Sequence, residues 1–157
     1  MKEVLLVILG FVLARVPIWL DRKRHLKTHW AAIRAELELC RERAAALLND
    51  AILSPLYRLP TVTYESSFSV LLSEGALSES EALSLGRFFC QVHDINRGLD
   101  NAAQKLDLND LEALHREYDR NLLKVRRLVE NRDDGESLYV LSLRIIDAKI
   151  QQSWWSY

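Results

Sequence analysis

An apolar run near the N-terminus constrains the fold of this chain more than any other feature. No polar or charged residue interrupts Val4 to Ala14; Arg15 follows, and apolar residues then resume as far as Leu20. As a helix, the stretch from Val4 to Leu20 would measure about 25 Å. That length lies at the short end of what a bilayer core of about 30 Å requires. The sequence therefore predicts a single transmembrane anchor over residues 1–20.

A basic cluster follows this run and predicts its orientation. The cluster consists of Arg22, Lys23, Arg24 and Lys27, whereas the N-terminal flank offers only Lys2, offset by Glu3. Lys and Arg collect on the cytoplasmic side of a span. We therefore expect a single-pass protein of the cell (inner) membrane whose C-terminal domain is cytoplasmic. The expected membrane-interface residues are Arg15, with a side chain long enough to reach the headgroups, Trp19, Arg22, Lys23 and Arg24.

Two other interpretations of the run stay open at this level. A cleaved signal peptide would need a small-x-small cleavage site, which the sequence lacks, and its basic residues before the run, whereas most of them follow it. A buried core helix is the other alternative.

The two cysteines, Cys40 and Cys90, are too few for a disulfide framework. They are interpreted as reduced thiols, in agreement with the cytoplasm.

The remainder of the chain has the period of α-helices. The first helical stripe alternates spacings of four and three residues, through Leu26, Trp30, Ile33, Leu37, Cys40, Ala44, Leu47 and Ala51. This is the heptad pattern of a coiled coil or bundle helix. The helix is expected to stop before Pro55, because the residue before a proline disfavours the helical conformation.

Four further segments carry helix signals. A short helix is expected from Thr61 or Thr63 to Gly75, and Ser78 and Glu81 form a capping box that starts a long one. An acidic N-cap within residues 107–110 begins the next helix. A turn at 133–135 precedes the last helix, whose apolar stripe is expected at Leu138, Leu141, Ile145 and Ala148. The predicted fold class is all-α: an N-terminal transmembrane helix, then an antiparallel bundle of about four long helices and one short helix over residues 21–157.

Charge and motif content exclude some functions. A net charge of −1 argues against nucleic acid as a partner. No glycine-rich nucleotide loop, HExxH motif or paired CxxC occurs, so enzymatic activity is uncertain and a non-catalytic role is preferred. We assign no catalytic residue and predict no cofactor.

Metal-ligand spacings occur but are interpreted as surface features. His25 and His29 are four residues apart, which places two imidazoles on one helix face. Glu112 and His115 have the Glu-x-x-His spacing of di-iron bundles, but such sites need a second pair. The nearest candidate, Cys90-x-x-His93, has a thiol where a carboxylate is required. No metal is therefore predicted.

Polar and aromatic residues in unusual places complete the list. Asn96 interrupts the apolar stripe of its helix, and we interpret it as a buried residue that fixes helix register; a small polar pocket is the alternative. Trp154 and Trp155 are expected to pack on the bundle end or to lie at a membrane interface.

These observations predict a membrane-anchored interaction module: a scaffold, an adaptor or an accessory subunit of a membrane complex. Its expected partners are the lipid bilayer and either another protein or a second copy of the chain. The expected interaction surface lies on the membrane-proximal helix, at Leu26, Trp30, Ile33 and Leu37. The alternative function is a ligand- or metal-binding bundle, or an enzyme, with a polar site around His93, Asn96 and His115.

Overall fold

Helices make up all the regular structure in the described part of the chain. The computed structural model describes residues 2–49, 57–131 and 135–152, without the side chains of 2–9 and 11–14. The helices are α1 (Lys2–Leu48), α2 (Val62–Ser73), α3 (Glu79–Asp107), α4 (Leu111–Val129) and α5 (Leu138–Gln151). The all-α prediction is confirmed, as are the short second helix and the number of long ones.

The predicted transmembrane anchor is wrong, and with it the single-pass inner-membrane location. Among the described residues, no helix is long and apolar enough to cross a membrane. Residues 2–20 belong instead to α1, which continues through Pro17 to Leu48. The apolar run reaches only about 17 Å before Arg15, well short of a bilayer core, and charged residues follow from Asp21. The side chains of most of this run lie outside the described residues.

Contacts between helices show that neighbours in the bundle run antiparallel. Four such contacts fix the directions: Asp94–Lys124 and Gly98–Asn121 between α3 and α4, and Arg34–Asp147 and Glu38–Tyr139 between α1 and α5. In each pair of helices the residue number rises on one helix while it falls on the other. Helix α2 packs antiparallel on α1 in the same way, since Arg22 contacts Glu74 and His29 contacts Ser67.

The core is built on the heptad stripe of α1. Every described member of the predicted stripe is buried, from Leu26 to Leu47. The stripe packs in one cluster with apolar side chains of the other helices, including Leu71, Phe88, Phe89, Val125, Leu128 and Ile146. Mutual burial of these stripes is what makes helices of this length stable.

The buried face of α5 differs from the prediction by one residue. The sequence predicted a stripe through Leu138, Leu141, Ile145 and Ala148, whereas the buried side chains are Tyr139, Ser142 and Ile146. A shift of one residue turns a helix face by about 100°. Apolar residues occupy nearly every side of this helix, so its period alone does not select a face. The hydroxyl group of Tyr139 donates to a Glu38 carboxylate oxygen at 2.9 Å, an additional contact for the observed face.

Helix ends follow their capping residues. The backbone amide of Ser78 donates to Glu81 Oε2 at 2.7 Å, and the Glu81 amide donates to Ser78 Oγ at 3.4 Å, which confirms the capping box. Asp110 accepts from the Ala113 amide at the start of α4. Past the end of α2, Gly75 has a φ of +66°, a conformation in which glycine is favoured because it has no Cβ.

Helices α3 and α4 approach closely at Gly98. A Cβ atom added at this glycine would lie 2.0 Å from Asn121 Oδ1. Asn121 is only 2% exposed. Glycine is therefore required here to admit the buried amide side chain against the α3 backbone.

Candidate functional site

The N-terminal part of α1, 21 of its 47 residues, has no buried side chain among those that the structure describes. We call residues 2–22 the N-terminal arm; at about 1.5 Å per residue it is roughly 31 Å long. Within it, Val16 is 42% exposed and Ile18 is 65% exposed. Gly10 is exposed as well, with space around it for a side chain. Of the side chains of α1 that the structure describes, the first buried one is that of Lys23, directly after the arm.

The interaction stripe expected from the sequence lies inside the molecule. Leu26 is 5% exposed, Trp30 1%, and Ile33 and Leu37 are fully buried. All four pack against other helices of the same chain. They therefore present almost no surface to a second chain in this fold. The large apolar side chains of α1 that are described as exposed are Val16 and Ile18 on the arm and Leu39 further along the helix.

A buried glutamate of α1 caps helix α2. Glu36 is 3% exposed, and its two carboxylate oxygens accept from the backbone amides of Thr63 at 2.8 Å and Tyr64 at 2.5 Å. Thr61, at the N-cap position, makes no capping hydrogen bond from its side chain. The free amides at a helix start and their partial positive charge favour an anion. Sequence reasoning missed this role, because Glu36 lies 25 residues before the helix that it caps.

Asn96 fastens the connection between α1 and α2 to α3. Its Oδ1 accepts from the Leu59 amide and its Nδ2 donates to the Leu59 carbonyl, both at 2.8 Å. The Asn96 side chain thus satisfies both backbone groups of a residue that is 2% exposed. Asn96 is itself half-buried, and it binds the backbone groups of a loop residue. In the structure Asn96 anchors a loop, a role that neither interpretation of the sequence included.

Further polar contacts hold the same loop. The Arg43 guanidinium donates to the Arg58 carbonyl at 2.8 Å, and the Cys40 thiol lies 3.3 Å from the Pro60 carbonyl. Arg58 in turn forms an ion pair with Asp100 on α3. We call residues 57–64, with these partners on α1 and α3, the loop clamp.

A polar groove beside the loop clamp contains two of the three residues of the alternative site. Its volume is about 530 Å³, and its lining residues are Cys90, His93, Asp94, Asn96, Arg97 and Asp100. The charged groups in it have partners: Arg97 pairs with Asp94, and Asp100 pairs with Arg58. Cys90 and His93 are exposed, and no hydrogen bond joins them.

His115 lies away from this groove. The contact of Gly98 with Asn121 sets a register in which His115 is level with Gln104 of α3. That position is eleven residues from His93, or about 16 Å along the helix. His93, Asn96 and His115 therefore do not converge on one site.

The Glu-x-x-His pair also has other partners. His115 Nδ1 lies 2.6 Å from the Leu111 carbonyl of its own helix, and Glu112 lies 3.7 Å from Arg116. Both residues are exposed. Across the described ranges, no three side chains of the His, Cys, Asp and Glu types come together in a way that could hold a metal.

His25 and His29, in contrast, are in direct contact. Their Nε2 atoms lie 3.2 Å apart, and the two rings are nearly perpendicular. On its other side, His29 Nδ1 lies 2.9 Å from Ser67 Oγ of α2. His25 is exposed, His29 is half-buried and Ser67 is buried.

Some predicted features lie outside the described residues, namely Ala51 of the first stripe, the turn at Asp133–Asp134, and Trp154 and Trp155.

The chain matches no protein-family model, no curated protein and no solved structure. Its function must therefore be argued from its own geometry.

Proposed function

We propose that this protein is a non-catalytic interaction module that self-associates through the N-terminal arm of α1. The observation that carries the proposal is the exposure of the apolar side chains Val16 and Ile18 on an arm whose sequence is mostly apolar. A helix that is apolar on most of its sides is normally covered by other helices. Exposed apolar side chains on such a helix are typical of protein–protein contact sites.

A second copy of the chain is the occupant that the arm itself favours. In a twofold contact the same surface serves both partners, so two arms match in length and apolar content by construction. The charges favour antiparallel pairing. The basic residues at and just beyond the end of the arm, Arg22 and Arg24, would then lie beside the partner's N-terminal end and not beside the partner's basic cluster, so like charges would be kept apart.

The bundle supports this role by holding the base of the arm rigidly. Arg22 Nε donates to the Glu74 carboxylate at 2.6 Å, at the end of the arm. One turn further, Leu26 enters the core. The arm is thereby held in a defined direction, so that less conformational entropy of the arm is lost when two chains associate.

The oligomeric state of the full chain tests the proposal. Sedimentation equilibrium should give a dimer, and the double variant Val16→Glu/Ile18→Glu should give a monomer with unchanged helical circular dichroism. Leu83→Glu is a matched control, because Leu83 is 54% exposed on α3, away from the arm. This control should remain dimeric. A wild-type chain that is monomeric at tens of micromolar, or a double variant that stays dimeric, contradicts the proposal.

A further inference from the structure

The geometry points to a transition-metal site formed by His25 and His29, a site that is independent of the arm and of the proposed self-association. Two imidazole nitrogens bound to one zinc ion at about 2.0–2.1 Å in tetrahedral geometry lie about 3.3 Å apart. The two Nε2 atoms here are 3.2 Å apart. The spacing is therefore close to that of two ligands of a single ion. In the metal-free chain the two nitrogens share a hydrogen bond, and a metal ion would take the place of its proton, with the remaining proton of His25 on Nδ1.

Ser67 sets the chemical form of His29 that a metal requires. Its Oγ lies 2.9 Å from His29 Nδ1, so this ring nitrogen can donate its proton to the hydroxyl group. The lone pair of His29 then lies on Nε2, the atom that faces His25. Metal-ligating histidines ordinarily have such an oxygen partner for the other ring nitrogen. Ser67 is 3% exposed and belongs to α2, so the packing of α2 on α1 fixes its position.

The surroundings select the kind of metal. The site offers nitrogen ligands only, whereas magnesium and calcium bind through oxygen ligands; the exposed charges of Arg24 and Lys27, which flank the pair in sequence, repel any divalent ion and limit its affinity. Imidazole nitrogen is a suitable ligand for zinc, nickel and copper. The site is accordingly one for a divalent ion of this class.

Only two protein ligands are present among the described residues, because no third His, Cys, Asp or Glu side chain joins the pair. Water or a ligand from outside the chain would complete the coordination shell. His25 is exposed, so that side of the ion is open to solvent. The expected site is a two-histidine chelate with exchangeable positions, in contrast to a closed structural zinc centre.

Titration of the full chain with zinc sulfate alone tests the site by calorimetry. We expect one zinc ion per chain and a loss of at least about tenfold in affinity for His25→Gln and for His29→Gln. Ser67→Ala should weaken binding by about tenfold, as loss of a hydrogen-bond partner to a ligating histidine typically does. Copper(II) should bind more tightly than zinc to the wild-type chain.

The matched control is His115→Gln, which removes an exposed histidine on α4 and should leave zinc affinity unchanged. Circular dichroism of each variant verifies the fold, since Ser67 is buried. The assignment is overturned if the wild-type chain binds no zinc, or if it binds one ion with equal affinity after His25→Gln. An unchanged affinity in a folded Ser67→Ala variant overturns the role of Ser67.

Discussion

Helix α1 has two parts that share a helical backbone but differ in the pattern of their apolar residues and in the exposure of those side chains. Residues 23–48 carry one apolar stripe, and its described members, from Leu26 to Leu47, are buried in the bundle. Residues 2–22 are apolar on most sides in sequence, and Val16 and Ile18 stand exposed. An apolar stripe predicts which face of a helix is buried, because the polar residues on the other faces must stay in contact with water. A segment that is apolar on every side predicts only that the segment is buried, and it does not predict which partner buries it.

The largest expected difference between the two parts of α1 is in stability. Trp30→Glu/Ile33→Glu places two carboxylates among side chains that are at most 1% exposed, at a cost that should exceed about 5 kcal/mol and unfold the domain. Val16→Glu/Ile18→Glu makes the same chemical change on the arm and should leave the free energy of unfolding of the bundle within about 0.5 kcal/mol. Thermal unfolding followed by circular dichroism measures both. A cooperative transition at the wild-type temperature in the Trp30/Ile33 variant would show that these residues are not core.

A smaller loss is expected at the loop clamp. Asn96→Leu leaves the amide and carbonyl of Leu59 without their side-chain partners and should lower the free energy of unfolding by about 2–4 kcal/mol. Asn101→Leu is the control, because Asn101 is exposed on the same helix, and its effect should stay within about 0.5 kcal/mol. Urea unfolding distinguishes the two variants. An increase in stability for Asn96→Leu would favour the register interpretation instead.

Two glycines of α3 should respond in opposite directions. Gly98→Ala forces Asn121 out of its buried position and should cost about 1–3 kcal/mol. Gly86 has space for a Cβ, so Gly86→Ala should stabilise the helix by about 0.5–1 kcal/mol. The same urea experiment compares them. Equal effects of the two substitutions would mean that the close approach of α3 and α4 is absent.

The two cysteines offer the mildest test, since native-state labelling leaves the fold unchanged. Burial, followed by the nearby charge of Glu36, raises the pKa of the Cys40 thiol to about 12, and Cys90 is exposed. Only the thiolate reacts readily. Iodoacetamide at pH 8 should therefore modify Cys90 and leave Cys40 unmodified until the chain is denatured. Mass spectrometry of peptides reads the result, and comparable labelling of both residues in the native protein would contradict the burial of Cys40.

The predictable parts of this molecule were those with local signals. The α1 stripe, the capping box at Ser78 and the cap at Asp110 depend on residues within a few positions of one another, and all three are present. The buried face of α5 was wrong, because apolar residues surround that helix and only packing selects Tyr139 over Leu138. The predicted anchor was also wrong. The uninterrupted apolar run is too short to cross a bilayer and Arg15 ends it, and no helix in the described residues is long and apolar enough to span a membrane.

The candidate site residues show the same difference between local signals, which the sequence reveals, and long-range contacts, which it does not. The spacing of His25 and His29 was visible in the sequence, but the partner of His29, Ser67, is 38 positions away. Glu36 and Asn96 act on backbone groups 27 and 37 positions distant. No periodicity or motif encodes such contacts, because they arise only when α1, α2 and α3 are already packed.

The capping of α2 by Glu36 also has a consequence for cooperativity. Helix α2 is only 12 residues long, a length at which an isolated helix is marginal in water. Its first amides are satisfied by a neighbouring helix, so its opening from that end exposes a buried carboxylate on α1 as well as its own backbone. We therefore expect helix α2 and the middle of α1 to behave as one unit of hydrogen exchange, in which the Thr63 and Tyr64 amides exchange only when α1 and α2 separate.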